Sequence, residues 1–234
     1  MELVIISLVA LMASALTLFS GFGLGTLLMP AVALFFPLEI AITITAIVHL
    51  ANNLFKVALL GRDTSVSVLL RFGLPAIVAA IIGATLLSQL SIISPLFQYS
   101  AFGNNFSIAP MKLVIGILIL IFVFLETSPL LSTIKLDKKY LPLGGIISGF
   151  FGGLSGHQGA LRSMFLIRAG LNKEQFIATG VMLAIMVDVA RMIIYGGDIL
   201  QPNTSIAWPP EICATLAAFA GTYFGKKFIP KVTI

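Results

Sequence analysis

The chain has 234 residues, of which 59% are hydrophobic and only 10% are charged, and its mean hydropathy is +1.09. In an average soluble domain about 25% of the residues are charged, and they help to cover its surface with polar groups. So few charges exclude an ordinary soluble domain. The sequence therefore predicts a polytopic membrane protein whose main surroundings are the lipid bilayer.

The net charge of +5 is first of all a topology signal, because Lys and Arg accumulate in the cytoplasmic loops of membrane proteins. No basic tract with interleaved aromatic residues indicates a nucleic-acid partner. The single cysteine, Cys213, excludes an intrachain disulfide and a cysteine-based metal cluster. With two histidines, His49 and His157, the sequence predicts no metal site, and it predicts no cofactor.

Seven apolar segments follow one another along the chain and are separated by short polar joints. In chain order they are residues 3–36, 40–60, 72–90, 111–125, 140–170, 175–195 and about 210–225. Five of them approach the roughly 20 residues that a helix needs to cross the hydrocarbon core, if the shorter ones extend by a turn. The exceptions, 3–36 and 140–170, are too long for one upright span and too short for two.

Both long segments contain a glycine cluster near the middle, which runs from Ser20 to Gly25 in the first and from Ser148 to Gly159 in the second. Glycine is costly inside a helix and suits a backbone turn. Each cluster is therefore typical of a broken or re-entrant helical hairpin. The alternative is an intact, tilted helix that packs closely through its small residues.

A shift of 135 positions aligns the two halves of the chain. It superposes Ser20-Gly21 on Ser155-Gly156, Glu39 on Glu174, Asn53 on Asp188, and Gly61 and Asp63 on Gly196 and Asp198. Two related halves are a common design of secondary transporters. We therefore divide the chain into an N-terminal repeat (1–126), a basic cytoplasmic linker (127–139) and a C-terminal repeat (140–234).

The basic residues test the two interpretations of the long segments. Ten of them lie in or beside the joints: Arg62, Arg71, Lys135, Lys138, Lys139, Arg168, Lys173, Lys226, Lys227 and Lys231. If both long segments are re-entrant, all ten lie on one side of the membrane, as the positive-inside rule requires, whereas single crossings divide them evenly. The predicted fold is thus all-α and polytopic, with two inverted repeats. Each repeat has a glycine-rich broken or re-entrant hairpin followed by transmembrane helices.

Arg162 is the charged residue that most needs an explanation, because an ionised side chain at bilayer depth costs at least about 2.5 kcal/mol. It lies about 12 Å of helix from the cytoplasmic end of its segment, at 1.5 Å per residue. In the hairpin interpretation it stands near the start of the returning half-helix, where backbone N–H groups favour an anion. Arg162 is therefore a candidate ligand of a small oxyanion. The alternative is a structural ion pair with Asp188 or Glu174.

The turns of the two hairpins supply further candidates for substrate binding. His157 and Gln158 carry donors for substrate oxygens, or they satisfy the carbonyl groups of the turn, and Ser155 is a weaker candidate of the same kind. The glycines of the turns, Gly21, Gly25 and Gly159, complete this group.

The segment 40–60 has a polar face about 100° wide, which must look into a bundle or a wet cavity: Thr45, His49, Asn52, Asn53 and Lys56. Asn52 and Asn53 are candidates for substrate binding, and Lys56 is close enough to the boundary to snorkel. His49 is a candidate for proton coupling, with a packing histidine as the alternative. Asp188 is the second such candidate, with a structural pair to Arg191 as the alternative.

The stretch GFFGGLSGHQGALRSMFLIRAGLNKEQFIATG, residues 149–180, resembles the second-repeat motif of the TauE/SafE sulfite exporter family, also called the TSUP permeases. Residues 20–53 are similar to the first repeat of that family. The resemblance implies a carrier of sulfite or related sulfur-containing anions in the cytoplasmic (inner) membrane of a bacterium or archaeon. Members usually end in one more apolar helix after a basic joint like residues 226–231. The sequence stops at Ile234, so we expect either a truncated chain or a short member of the family that lacks the final helix. A homo-oligomer is one way to fill the gap.

The leading functional hypothesis is a secondary transporter that exports sulfite or organosulfonates with proton coupling. An anion channel and a non-transporting membrane binding or scaffold subunit are the alternatives. An enzyme is disfavoured, because no nucleophile elbow, no paired catalytic carboxylates and no metal-ligand spacing are present in the sequence. The particular anion, the direction of transport and the coupling ion stay open.

Overall fold

The computed structural model describes residues 1–20, 23–60, 63–101, 103–128, 136–199 and 208–227. Most of these residues are helical. The helices are α1 (Glu2–Ser20), α2 (Leu24–Ala33), α3 (Leu38–Leu60), α4 (Val66–Ile92), α5 (Pro110–Thr127), α6 (Leu141–Ser155), α7 (Gly159–Leu166), α8 (Lys173–Ile199) and α9 (Trp208–Lys226), with a 3₁₀ turn at Lys138–Tyr140 before α6.

The five predicted spans correspond to α3, α4, α5, α8 and α9, with bounds within a few residues of those expected. In the described part of the chain, α3, α4, α5 and α8 are long and apolar enough to cross a membrane. Helix α5 begins at Pro110, which suits a first helical position because the N–H that it lacks has no partner there. The all-α polytopic fold is confirmed.

A β-hairpin is the element that the sequence analysis did not predict. Strands β1 (Phe97–Ala101) and β2 (Asn104–Ile108) pair antiparallel between the apolar segments 72–90 and 111–125, in a stretch without charged residues. Gly103 lies in its turn with φ +75°, and the rings of Tyr99 and Phe106 stack with centroids 5.3 Å apart. An isolated two-stranded hairpin is marginal in water, so the stacked rings contribute to its stability.

Both long segments break at their glycine clusters, as the hairpin interpretation predicts. Helix α1 ends at Ser20 and α2 begins at Leu24, while α6 ends at Ser155 and α7 begins at Gly159. Gly23 and Gly156 have φ of 119° and 80°, which L-residues with a side chain rarely adopt. The alternative of an intact tilted helix is wrong for both segments.

The second hairpin returns to the end of the molecule from which it starts. Lys138, just before α6, lies beside Gly170, which follows α7. Farther into the hairpin, the ring of Phe165 packs over Gly144, where a side chain would collide with it. The segment therefore begins and ends at the same end of the molecule, which is the geometry required of a re-entrant hairpin.

The helix bounds repeat with the shift of 135 residues that aligns the two halves. The first hairpin helices end at Ser20 and Ser155, the second begin at Leu24 and Gly159, and the next helices begin at Leu38 and Lys173. Helices α1 to α4 therefore correspond to α6 to α9, and α5 has no counterpart among the described elements.

Packing between the halves is also symmetric. Helix α4 packs along α6 and α9 packs along α1, so that the fourth helix of each half covers the first helix of the other. Both contacts are parallel and close: Gly145 and Gly153 lie on the backbone of Phe72 and Ala80, and Gly221 lies on that of Leu11. Backbones approach this closely only where one partner lacks a side chain.

Helices α3 and α8 cross at the centre. His49 and Asn53 of α3 contact Asp188, and Ser65, after the end of α3, donates through its N–H to Thr179 Oγ1 near the start of α8, at 2.9 Å. The two helices thus run in opposite directions. This packing favours inverted repeats, whose orientation in a membrane stays a prediction, as do the repeat boundaries.

Three apolar clusters surround this crossing. One joins the first hairpin to α3 and α9, and a second joins α4, the second hairpin and α8. The third packs α5 against Met29, Ala84 and Leu154. Helix α5 therefore fills the side on which the two hairpin turns meet α4, and it brings its last residues to those turns.

Candidate functional site

Buried polar side chains concentrate where α3, α7 and α8 meet. Asp188 lies at the centre of this group and is fully buried. His49 Nδ1 is 2.6 Å from Asp188 Oδ2, and Arg191 Nη2 is 3.2 Å from Asp188 Oδ1. Asn53 donates through Nδ2 to Oδ2 at 3.1 Å. This carboxylate therefore has ionic and neutral donors on both oxygens, as a buried charge requires.

The second hairpin is tied to the same group through Gln158. Its Nε2 is 3.5 Å from both Asp188 Oδ1 and the carbonyl oxygen of Ala184, and its Oε1 accepts from Arg162 Nη1 at 3.3 Å. The hydroxyl of Ser148 donates to the backbone oxygen of Gln158 at 3.0 Å. The turn that carries the predicted site is thus fixed to both α6 and α8.

Arg162 is 6% exposed and projects from α7 between two cavities. Its predicted alternative role was an ion pair with Asp188 or Glu174. Within the described residues Asp188 forms ion pairs with His49 and Arg191, and Glu174 is exposed at the start of α8. Arg162 donates to Gln158 at the hairpin turn, and its predicted pairing with Asp188 or Glu174 stays an alternative.

The first cavity, which we call the basic cavity, encloses about 490 Å³ of empty space, including the solvent at its mouth. Its lining comes from α3, α7, α8 and the end of α1: Thr17, Leu18, His49, Asn53, Lys56, Arg162, Ser163, Leu166, Phe176, Ile177, Gly180, Val181 and Ala184. It extends from His49 at the centre toward the start of α8, which the charge bias places at the cytoplasmic side.

Lys56 is a residue of this cavity whose role the sequence analysis did not identify. Its side chain is 2% exposed, so the interpretation that it snorkels to the boundary is wrong. It has no hydrogen bond or ion pair with a carboxylate within the described part of the chain. The signal was its place on the polar face with His49 and Asn53, because a residue on that face points away from lipid.

The second cavity, which we call the tip cavity, lies between the turns of the two hairpins and encloses about 260 Å³ of empty space. It is lined by Gly23, Gly25, Thr26, His49, Glu126, Gly156, His157, Gln158, Gly159 and Arg162. His49 and Arg162 line both cavities, so the two meet at these side chains. Helices α2 and α7 begin here, and their first N–H groups give this region a partial positive charge.

His157 is the polar residue of the tip cavity whose hydrogen bonding is incomplete. Its ring stacks on Phe122 of α5, with centroids 5.3 Å apart, and its Nδ1 is 3.1 Å from Ser155 Oγ. Its Nε2 is buried and has no partner among the described residues. A buried polar atom of this kind is a candidate donor or acceptor for a ligand in the cavity.

The predicted site residues divide into three groups. Gly25, His157, Gln158, Gly159 and Arg162 come together at the tip cavity, and His49 and Asn53 line the basic cavity. Asn52 faces α9 and accepts from Thr222 Oγ1 at 2.7 Å, while Ser155 donates to the backbone oxygen of Phe151 at 3.1 Å. Gly21 lies outside the described residues.

Among the described residues, the site has more buried positive than negative charge. Lys56, Arg162 and Arg191 are buried around the centre, and Asp188 is the buried carboxylate that faces them. Burying unbalanced charge is costly, so an anion that enters the basic cavity relieves this excess. In the described part of the chain no three His, Cys, Asp or Glu side chains come together in a group that would hold a metal ion.

A polytopic helical fold with buried cationic side chains at its centre is typical of a membrane transporter. The sequence matches the family of the sulfite exporter TauE/SafE over residues 6–233, and the chain belongs to this family. The resemblance drawn from residues 149–180 is thereby confirmed. This is a family of transporters of sulfur-containing anions, not of enzymes. No curated protein and no solved structure gives a significant match to the chain.

Proposed function

We propose that the protein is a secondary transporter that exports sulfite or related small sulfur-containing anions, including organosulfonates, across the cytoplasmic (inner) membrane of a bacterium or archaeon. The observation that carries this proposal is the basic cavity, where Lys56 and Arg162 are buried together. The guanidinium offers two parallel donors to the oxygens of a sulfite or sulfonate group, and the ammonium adds a point charge.

The arrangement of the two cavities supports transport by alternating exposure. They meet at His49 and Arg162, so an anion held by Arg162 lies between the basic cavity and the hairpin turns. Rocking of one repeat against the other would expose this position to each side in turn. The basic cavity extends toward the predicted cytoplasmic end, which is where an exported anion would enter.

Proton coupling is the finer part of the proposal. Asp188 and His49 are the candidates from the sequence, and their side chains are 2.6 Å apart at the helix crossing. If this pair carries the coupled proton, Asp188→Asn abolishes flux driven by a pH gradient and leaves anion binding intact. Loss of binding in Asp188→Asn would instead assign the residue a structural role.

The decisive experiment measures uptake of radiolabelled sulfite and of a small panel of sulfonates into proteoliposomes. We expect saturable flux in the wild type and a roughly ten- to hundredfold loss in Arg162→Gln, since hydrogen bonds to a charged group each contribute about 1.5–3 kcal/mol. Arg168→Gln is the matched control, because Arg168 follows the same half-helix and is exposed. All variants are compared at equal insertion.

Each other outcome has a definite meaning. Flux that survives Arg162→Gln would reduce Arg162 to a structural residue and leave transport standing. Flux that rises linearly with anion concentration would favour a channel over a carrier. The absence of flux for every anion of the panel would contradict the transporter proposal and favour a binding or scaffold subunit.

A further inference from the structure

Glu126 is an acidic residue of the tip cavity that the proposed anion site does not use. It is the only acidic residue between Asp63 and Asp137 in the sequence, and it stands at the end of the apolar helix α5. The packing of α5 against the hairpins brings its partly buried side chain to the cavity wall, together with His49, His157 and Arg162. A carboxyl group thus lies on the side of Arg162 away from Lys56.

The hydrogen bonding of Glu126 differs from that of Asp188. Thr26 Oγ1, in the first turn of α2, donates to Glu126 Oε1 at 2.8 Å, and within the described residues the carboxyl group has no ion pair. Asp188, in contrast, is held by His49, Asn53 and Arg191. Glu126 can therefore gain or lose a proton without breaking a buried ion pair.

In the part of the chain that the structure describes, few charged groups lie around Glu126. His49, His157 and Arg162 face it across the tip cavity. Helix α2 has no titratable residue, and the one in α4, Arg71, is exposed. An ionised Glu126 thus repels an anion that approaches Arg162 from the tip cavity, whereas a protonated Glu126 removes this repulsion and can donate to an oxygen of the anion.

We propose that Glu126 is a second proton-binding group, beside the Asp188–His49 pair, through which passage of the anion is coupled to movement of a proton. This inference rests on the proposed transport function and adds a coupling residue to it. Because protonation of Glu126 favours the anion, the anion favours protonation to the same degree, as linkage requires. One proton is taken up by the carboxylate on one side and released on the other. A monoanion that moves with it transfers no net charge.

The bond to Thr26 connects this proton to the moving parts. Thr26 lies in the first turn of α2, just after the break of the first hairpin, and Glu126 lies in the last turn of α5, which packs against both hairpins. A change in the charge of Glu126 therefore alters its hydrogen bond to the first hairpin. Rocking of the repeats would have to displace this hairpin.

The test compares Glu126→Gln with the wild type in proteoliposomes of the full chain. Glutamine keeps a carbonyl oxygen for the Thr26 hydroxyl and cannot carry the proton. Radiolabelled sulfite uptake is measured with and without a pH gradient, and vesicles without protein correct for passive permeation. We expect the ratio of the two rates to fall from at least about tenfold in the wild type to about one in Glu126→Gln. Glu39→Gln, an exposed carboxyl in the first turn of α3, should keep the wild-type ratio.

Thr26→Val distinguishes proton binding by Glu126 from a purely structural role of its hydrogen bond to Thr26. The variant removes this hydrogen bond and keeps the carboxyl group. The proposal expects Thr26→Val to retain a gradient-dependent rate, with its pH profile displaced. The proposal would be overturned if Glu126→Gln kept the wild-type ratio of uptake rates with and without the gradient. It would also be overturned if Thr26→Val lost the dependence on the gradient while Glu126→Gln kept it. If the wild type exchanges sulfite at equal pH and Glu126→Gln keeps its gradient dependence, this inference alone fails. The absence of any wild-type exchange overturns the transport function as well.

Discussion

Asn53 Nδ2 donates a hydrogen bond to Asp188 Oδ2 at 3.1 Å, and these two residues occupy equivalent positions of the two halves, 135 residues apart. Residues related by a two-fold axis touch each other only where they lie on or beside that axis. If the two halves are inverted repeats, as the sequence predicts, their pseudo-symmetry axis passes through the Asn53–Asp188 contact, and the buried charges of the candidate site lie around it. Helices α3 and α8 cross there in opposite directions.

Opposite orientation of the repeats predicts that equivalent positions face opposite sides of the membrane. Asp63, after α3, and Asp198, near the end of α8, are such a pair. Single-cysteine variants at these positions, built on Cys213→Ser, should react with a membrane-impermeant maleimide from the cytoplasmic side at 63 and from the outer side at 198. Cys213 is the only cysteine of the chain and is exposed, so its replacement removes the background. Labelling of both positions from one side would exclude inverted repeats.

Replacement of Lys56 by methionine should weaken anion binding while the fold is kept. Methionine approximates the length of the lysine stem and removes a buried charge that has no carboxylate partner among the described residues. We expect the dissociation constant for sulfite to rise by about tenfold or more, and the stability of the protein to stay equal or to increase, since burial of a charge is costly. Binding is measured by calorimetry in detergent. Lys112→Met, at an exposed position of α5, is the control.

Unchanged sulfite affinity in Lys56→Met would contradict the assignment of Lys56 to the anion site. A gain in stability without a loss of affinity would show that the lysine is only tolerated there.

The Asp188–Arg191 pair should behave as a buried ion pair in a double-mutant cycle. Asp188→Asn leaves the guanidinium without its carboxylate and should lower the free energy of unfolding by about 3–5 kcal/mol. Arg191→Met should do likewise, and the double variant should lose less than the sum, with a coupling energy of about 1–3 kcal/mol. Unfolding in bicelles measures all three variants. Additive losses would show that the two residues act independently and that the 3.2 Å contact contributes little.

The elements that were predictable from the sequence are those with strong local signals. Apolar runs of about 20 residues give the spans, and the glycine clusters give the breaks at Gly23 and Gly156, because each signal acts within one segment. The meeting of Arg162, His157 and Gln158 at one cavity was also predictable, since a polar residue at bilayer depth needs a functional or structural reason; that they bind the substrate stays a prediction.

The features that the sequence analysis missed depend on contacts between distant segments. Lys56 was expected to snorkel, because its distance from the helix end does not reveal that α7 and α8 cover it. Glu126 stands at the edge of the basic linker, and only the packing of α5 against the hairpin turns brings it to a cavity. The β-hairpin was not predicted, because its strands are only five residues long and are defined by their pairing with each other.

The turn of the second hairpin offers the most direct test of how the site is held in place. Gly156 has φ +80°, and a side chain there would collide with the guanidinium of Arg191. Gly156→Ala should cost about 1–2 kcal/mol for the left-handed backbone alone, and it should also push Arg191 away from Asp188. We therefore expect a lower thermal midpoint in detergent together with loss of sulfite flux.

Gly116→Ala is the matched control, because Gly116 lies inside helix α5 with open space around it and an ordinary helical backbone. Alanine is the better helix former by up to about 1 kcal/mol, so this variant should be as stable as the wild type or more so. If Gly156→Ala matched Gly116→Ala in both stability and flux, the turn would not need its left-handed backbone. In that case the packing of Arg191 against Gly156 would not be needed to hold the second hairpin at the buried charges.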